Sequence, residues 1–356
     1  MVAAAVGIIG IVVVQFGLFD HKFWKSEDPN WQLYKELFIS ENGRVIDTGN
    51  DNSSHSEGQG WGMLFAVTND DQSSFEQLWK WTQKNLQIRQ DSLFVWRWAV
   101  DLSSKDSHSN TVSHTPDTNN ASDGDLYIAW ALLRAGQRWR KPEYTEEAKN
   151  ILQDTREKMI QQFSGMTVLL PGGEGFKQED QLTLNLSYWI FPALKEFNQI
   201  DPSPVWQALH ESGIKLINQA RFGQWELPSD WVALSTEGEL TLAEGFPPRF
   251  SYDAIRVPLS LMWAQIDDKD LFKPFQNLSD HFSKLETTPA WVDLEDNSVA
   301  PYQASEGFNG VMTLADAIFA NKKTEPPLPS VSKDQDYYSA SLLMLARQAI
   351  AETTSK

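Results

Sequence analysis

The 356-residue chain contains no cysteine, so it can hold no disulfide framework, no thiolate metal site and no thiol nucleophile. Histidine is scarce, with six residues and none in an H-E-x-x-H pattern, which leaves zinc hydrolysis without its ligands. The His of HSEG, His55, and the His of SHTPD, His114, each lie near an acid and read as solvated loop positions. No G-x-S-x-G elbow and no phosphate-cradling glycine loop occurs. Basic residues are in deficit, 30 Lys plus Arg against 48 Asp plus Glu. The resulting net charge of −18 repels phosphate backbones and anionic headgroups and excludes nucleic acid as a partner.

Aromatic residues, by contrast, are abundant: 15 Trp, 19 Phe and 8 Tyr. Roughly two thirds of these rings are expected in the core on burial statistics. The remainder offer flat apolar faces, and on an acidic protein such faces suit a neutral, hydroxyl-rich ligand, a polysaccharide before a nucleotide. With 41% hydrophobic residues the chain can bury a sizeable core, and a monomer is expected.

Residues 2–19, VAAAVGIIGIVVVQFGLF, carry no charge. As a helix they would reach about 27 Å, just short of a hydrocarbon core of about 30 Å. The expectation is a signal peptide, placing the protein in the periplasm or outside the cell, or an uncleaved anchor to the inner membrane; nothing basic precedes the run to choose between them. Residues 20–30 read as a polar linker, and 31–356 as one folded catalytic domain.

From Trp31 on, apolar residues recur at three and four spacing, in WQLYKELFIS, WGMLFAV, FEQLWKWTQKNL, DLYIAWALLRAGQRW, EYTEEAKNILQDTREKMIQQF, VWQALHESGIKLINQA, AIRVPLSLMWAQI, LFKPFQNLSDHFSKL, NGVMTLADAIFA and DYYSASLLMLARQAIAE. Short strands fit MTVLLP and GELTLAE, but no alternating run supports a large sheet. The spacing therefore predicts an all-α fold of about a dozen helices, at roughly 27 residues per helix with its loop. No motif recurs at a fixed period, which argues against a solenoid.

Carboxylates sit at three places where loops run into helices. Glu57 precedes an apolar helix among Gly58, Gly60 and Gly62, where partial burial would raise its pKa as a general acid needs; it could equally serve as a first-turn acid of that helix. Asp253 precedes another helix and lies three residues from Arg256, as a base would or as an N-cap with an ion pair would. Asp123 and Asp125 flank a glycine at a third helix entry, a turn or cation-binding fragment that lacks the rest of a calcium loop. Carboxylates and aromatic platforms are the working parts of a glycoside hydrolase, which needs neither metal nor organic cofactor.

The segments SEGQGWGMLFAV, VWRW, NNASDGDLYIAWALLRAGQRW, LLPGGEGF, NLSYW, LPSDWV and SYDAIRV, in this order, resemble glycoside hydrolase family 8. The resemblance implies an (α/α)6 barrel of inner and outer helices with minor short strands. It implies endo-acting, inverting hydrolysis of β-1,4-glucan, with Glu57 as general acid, Asp253 as general base and Asp123 holding the sugar beside the scissile bond. Trp61, Trp96, Trp98, Tyr188, Tyr252 and Arg256 would line the substrate groove. It further implies a part in bacterial cellulose synthesis, beside the cellulose synthase complex. Trp61 stands where the family more often has Tyr, and Leu186 where Pro is usual. Chitosan, xylan or lichenan remain alternative substrates, and a glucan-binding protein of the cell envelope without catalysis is the remaining reading.

Overall fold

The computed structural model describes residues 28–100, 113–115, 117–283, 287–321 and 326–354. Eleven α-helices are described: α1 Pro29–Phe38, α2 Ser56–Thr68, α3 Gln72–Asn85, α4 Ser122–Trp139, α5 Pro142–Lys158, α6 Phe191–Ile200, α7 Pro204–Gln219, α8 Arg256–Trp263, α9 Lys269–Phe282, α10 Glu306–Phe319 and α11 Tyr337–Thr354. Ten short strands accompany them: β1 Ser54–His55, β2 Arg97–Val100, β3 Ser113–His114, β4 Ile160–Phe163, β5 Met166–Leu169, β6 Gln181–Leu184, β7 Val232–Ser235, β8 Leu240–Leu242, β9 Arg249–Phe250 and β10 Val292–Asp293. They pair antiparallel in sheets of two or three strands. The apolar run at 2–19 lies outside the described residues, and none of the described helices is long and apolar enough to cross a membrane.

Polar side chains start the helices. Asp28 accepts from the Asn30 N–H at 2.9 Å with Pro29 next in line, so α1 begins two residues before the boundary read at Trp31. Asp71 caps α3 through the Ser74 N–H at 3.1 Å, and Ser203 caps α7 with Pro204 following. Burial sorts the helices into two sets. In α2, α4 and α8 nearly every residue is buried and α11 is buried over most of its length, whereas α3, α5, α7 and α9 bury one stripe and expose the other. Packing runs from α2 to α4, α4 to α6, α6 to α8, α8 to α11 and back from α11 to α2, which closes a ring. The amphipathic helices lie against it: α3 on α2, α5 on α4, α7 on α6 and α9 on α8 and α10. One hydrophobic cluster runs through the whole, from Trp31 to Ala349.

Two differences from the sequence reading have local causes. The helix read through Phe163 stops at Lys158, and residues 160–163 form β4, which pairs with β5 from Ile160↔Leu169 to Phe163↔Met166. The ten-residue α6 escapes the pattern because it is short and opens on Phe191–Pro192.

Helices α2 and α4 approach unusually closely because of glycine. A Cβ on Gly60 would lie 2.6 Å from the Tyr127 Cβ, and one on Gly124 would lie 2.0 Å from the Ser56 Oγ and 2.7 Å from the Glu57 backbone nitrogen. The first turns of the two helices, with Glu57 and Asp123, are thereby brought side by side.

Candidate active site

At the amino ends of α2, α4 and α8 one guanidinium gathers three carboxylates. Arg256 Nη1 donates to Glu57 Oε1 and, at 3.0 Å, to Asp123 Oδ2, while Nη2 donates to Asp253 Oδ1 at 2.5 Å. The Arg256 side chain is only 5% exposed and Asp123 is deeply buried, whereas Asp253 keeps 29% of its side chain open to solvent. The ring of Trp61 lies 5.8 Å from the guanidinium carbon and that of Tyr188 5.7 Å from it. These aromatic walls remove water from a site that holds more negative than positive charge.

The electrostatics follow from that burial. Desolvation pushes the Asp123 carboxyl up to about 7, against the pull of its hydrogen bond from the Gly124 N–H. Burial, followed by the charges of Asp230 and Asp123, holds the Asp253 carboxyl well above the ordinary range, with the Asn185 amide opposing the rise. Tyr188 is likewise raised by burial and by the charges of Asp123 and Asp253, so it keeps its proton. Burial lowers the proton affinity of Arg256.

Asp253 sits in the turn before α8, and Asp230 fixes that turn. Its Oδ1 accepts from the backbone N–H groups of Ser251 at 3.0 Å and Ala254 at 2.8 Å, and its Oδ2 accepts from the Ser251 hydroxyl at 2.5 Å. On the other side, His55 caps α2: its Nδ1 accepts from the Gly58 N–H at 3.0 Å and lies 3.9 Å from Glu57 Oε2. With Nδ1 used as an acceptor, Nε2 carries the proton toward Asp47 Oδ2 at 3.3 Å. His55 is therefore not a solvated loop residue: it is largely buried, and it ties Asp47 to the start of the helix that bears Glu57. Asp230, Asn185 and His55 lie in the segments LPSDWV, NLSYW and HSEG, but nothing in those segments singled out their side chains as parts of the site.

The expected groove residues divide. Tyr188 and Tyr252 border the carboxylates. Tyr252 is 46% exposed, its ring meets Tyr338 edge-on at 5.8 Å, and its carbonyl accepts from the Tyr338 hydroxyl. Trp61 is 0% exposed, stacked on Tyr337 and edge-on to Tyr127, so its expected contact with a sugar is corrected here: it is a wall behind Arg256. Trp96 is partly exposed and its indole N–H donates to Asp117 at 2.9 Å. Trp98 is half-buried beside Trp81 with Arg44 over one face at 4.4 Å, a distinct surface recess also lined by Lys80 and Lys84. A ring trio that the sequence did not single out, Phe176, Trp231 and Phe246, stacks in parallel, and Trp231 meets Tyr188 edge-on at 6.3 Å.

Asp125, considered with Asp123 for a cation, points elsewhere. It accepts from the Phe94 N–H at 2.9 Å and from the Asn120 amide at 2.7 Å, which anchors the segment leading to Trp96. Among the described residues no group of three or more His, Asp or Glu side chains is arranged so that it could hold a metal ion.

Comparison with known proteins gives a consistent result. The sequence model of glycosyl hydrolases family 8 matches residues 20–352. A protein named probable endoglucanase from Novacetimonas hansenii is 41% identical over 327 residues, covering 92% of this chain and 91% of its own. The endo-β-1,4-glucanase CMCax from Acetobacter xylinum superposes with a TM-score of 0.81 at 40% identity, covering 91% of this chain and 97% of that one. Endoglucanase Cel10 of Klebsiella pneumoniae, a family 8 glycosyl hydrolase, does so with a TM-score of 0.81 at 39% identity, over 91% of this chain and 99% of that one. These structures are (α/α)6 barrels, and the ring of paired helices described above is the same fold.

Proposed function

We propose, from the premise that the chain belongs to glycosyl hydrolases family 8, that it is an endo-acting hydrolase of β-1,4-glucan working by inversion. The observation that carries this reading is the meeting of Glu57, Asp123 and Asp253, from three separate segments, on one buried guanidinium beside the partly exposed Tyr188 and the exposed Tyr252.

In this reading Glu57 donates a proton to the departing glycosidic oxygen as the C1–O bond breaks, and Asp253 takes a proton from a water whose oxygen bonds to C1 from the opposite face. The raised proton affinity of Asp253 suits a base that must act near neutral pH. Arg256 occupies Oε1 of Glu57, which leaves Oε2 to carry the proton to the leaving oxygen. Asp123, buried between the two, holds a hydroxyl of the sugar at the scissile bond, and Tyr188, Tyr252 and Trp96 line the groove. The endoglucanase names of the full-length relatives support a cellulose-like substrate. The apolar run at 2–19 supports export to the periplasm or beyond, and the resemblance supports a place in cellulose synthesis, to be read as a change in cellulose yield when the gene is deleted.

The test is the anomeric form of fresh product from cellopentaose, followed by proton NMR, with Glu57→Gln and Asp253→Asn alongside the parent protein. Inversion gives the α-anomer first, and each variant loses turnover while its far-UV circular dichroism stays unchanged. Initial β-product, or substantial activity in either folded variant, overturns the assignment. Chitosan, xylan and lichenan measured in the same series decide the polymer.

A further inference from the structure

Asn185 has the attributes of a group that holds a reacting water. It is 1% exposed and caps the 3-10 turn Leu186–Tyr188, which carries Tyr188 into the site. Its Oδ1 accepts twice from Ser187, from the N–H at 3.1 Å and from the hydroxyl at 2.7 Å. Those two donors fix which end of the amide is oxygen, because an NH2 could accept neither. The Nδ2 must therefore point the other way, and there it is buried without a hydrogen-bond partner. A buried donor left unpaired is costly, and such groups persist where a water or ligand satisfies them. The Nδ2 lies near enough to Asp253 to oppose the rise in that carboxyl's proton affinity. Arg256 occupies Oδ1 of Asp253, which leaves Oδ2 to accept from a water.

We infer that Asn185 Nδ2 and Asp253 Oδ2 together seat the nucleophilic water of the hydrolysis. The inference rests on the proposed role of Asp253 as base. The amide donates to a lone pair of the water oxygen while the carboxylate accepts one of its protons, so the remaining lone pair is aimed at C1. As that oxygen bonds to C1, the accepted proton passes to Asp253 and the leaving oxygen takes its proton from Glu57. Asn185 transfers nothing itself; it fixes the direction of attack.

The experiment compares Asn185→Asp with Asp253→Asn and the parent enzyme on cellopentaose, measuring kcat and KM separately together with thermal unfolding. Asn185→Asp keeps the oxygen that caps the 3-10 turn and removes the donor, and because it adds a carboxyl group beside Asp253, kcat is read at the plateau of each variant's pH profile. The expected result is a kcat lower by about 10²–10³, the range for loss of one preorganised donor, with KM within about twofold. A kcat within threefold of the parent overturns the inference. So does a rise in KM at unchanged kcat, which would put the amide on the sugar, and so does a lower melting temperature with intact kcat, which would make it structural. If Asn185→Asp does not fold, Asn185→Ser, which keeps a short polar cap, is judged by the same criteria. Activity in Asp253→Asn would remove the base assignment itself, whereas an inactive Asp253→Asn beside a fully active Asn185→Asp removes the water seat alone.

Discussion

Replacing Gly124 with alanine tests whether the glycine contact between α2 and α4 sets the spacing of the carboxylates. On propensity alone the change should help α4 by about 1 kcal/mol. The added Cβ, however, would stand 2.0 Å from the Ser56 Oγ, 2.6 Å from the Ser56 Cβ and 2.7 Å from the Glu57 backbone nitrogen. Ordinary contact requires about 3.5–4.0 Å. The hydroxyl can rotate away; the backbone nitrogen cannot, so the first turns must separate by the order of 1 Å. Overpacking of this kind costs about 1–3 kcal/mol, which leaves a net loss of about 0–2 kcal/mol. Turnover should suffer more, because a displacement of about 1 Å at a reacting centre is worth about 10²-fold. The assay is initial release of reducing sugar from carboxymethylcellulose beside thermal unfolding by circular dichroism. A folded Gly124→Ala protein with parental kcat would show that the spacing of Glu57 and Asp123 does not govern the reaction. Gly49→Ala serves as control, since its Cβ would meet only Asp47 Oδ1, at 3.5 Å.

Two other outcomes follow from buried charge. Arg134 lies beneath the barrel wall, bound to Glu196 at 2.7 Å and Glu352 at 2.6 Å and stacked over Trp130 at 4.2 Å. Arg134→Met strands two carboxylates and should lose about 3–5 kcal/mol in urea unfolding while kcat per folded molecule stays unchanged. Asp125 is raised by burial from 3.8 to about 7, so its contribution to stability is complete below about pH 4 and is lost as pH rises through 7. Measured by urea unfolding at about pH 4 and pH 8, Asp125→Asn should therefore gain on the parent by as much as about 4 kcal/mol at the higher pH; a difference that does not change with pH refutes the shift.

The helices α2, α4 and α11 were legible because long apolar patterns need only local information. The continuation into residues 160–163 was misread for the same reason: Ile160 and Phe163 extend the helical spacing, and only the pairing with Met166–Leu169 decides otherwise. Glu57, Asp123 and Asp253 could be picked out as residues at helix entries, but not as neighbours, since Arg256 reaches Glu57 across 199 positions of chain. Trp61 was misplaced because α2 is buried on all sides, and a helix without a polar face does not reveal which side meets a groove. Asp230 and Asn185 act through turns, where chemistry lies in backbone direction and leaves no periodic trace.

The strand pair β1–β2 joins Ser54 to Trp98 and His55 to Arg97, and one residue farther the Ser56 N–H donates to the Trp96 carbonyl at 3.0 Å. The proposed proton donor Glu57 and the proposed sugar contact Trp96 are therefore mounted on a single ribbon, and a slip of one residue would turn Trp96 to the opposite face. Chimeras between relatives that exchange residues 54–57 without 96–98 divide that mounting, whereas those that move both segments carry the pair across intact.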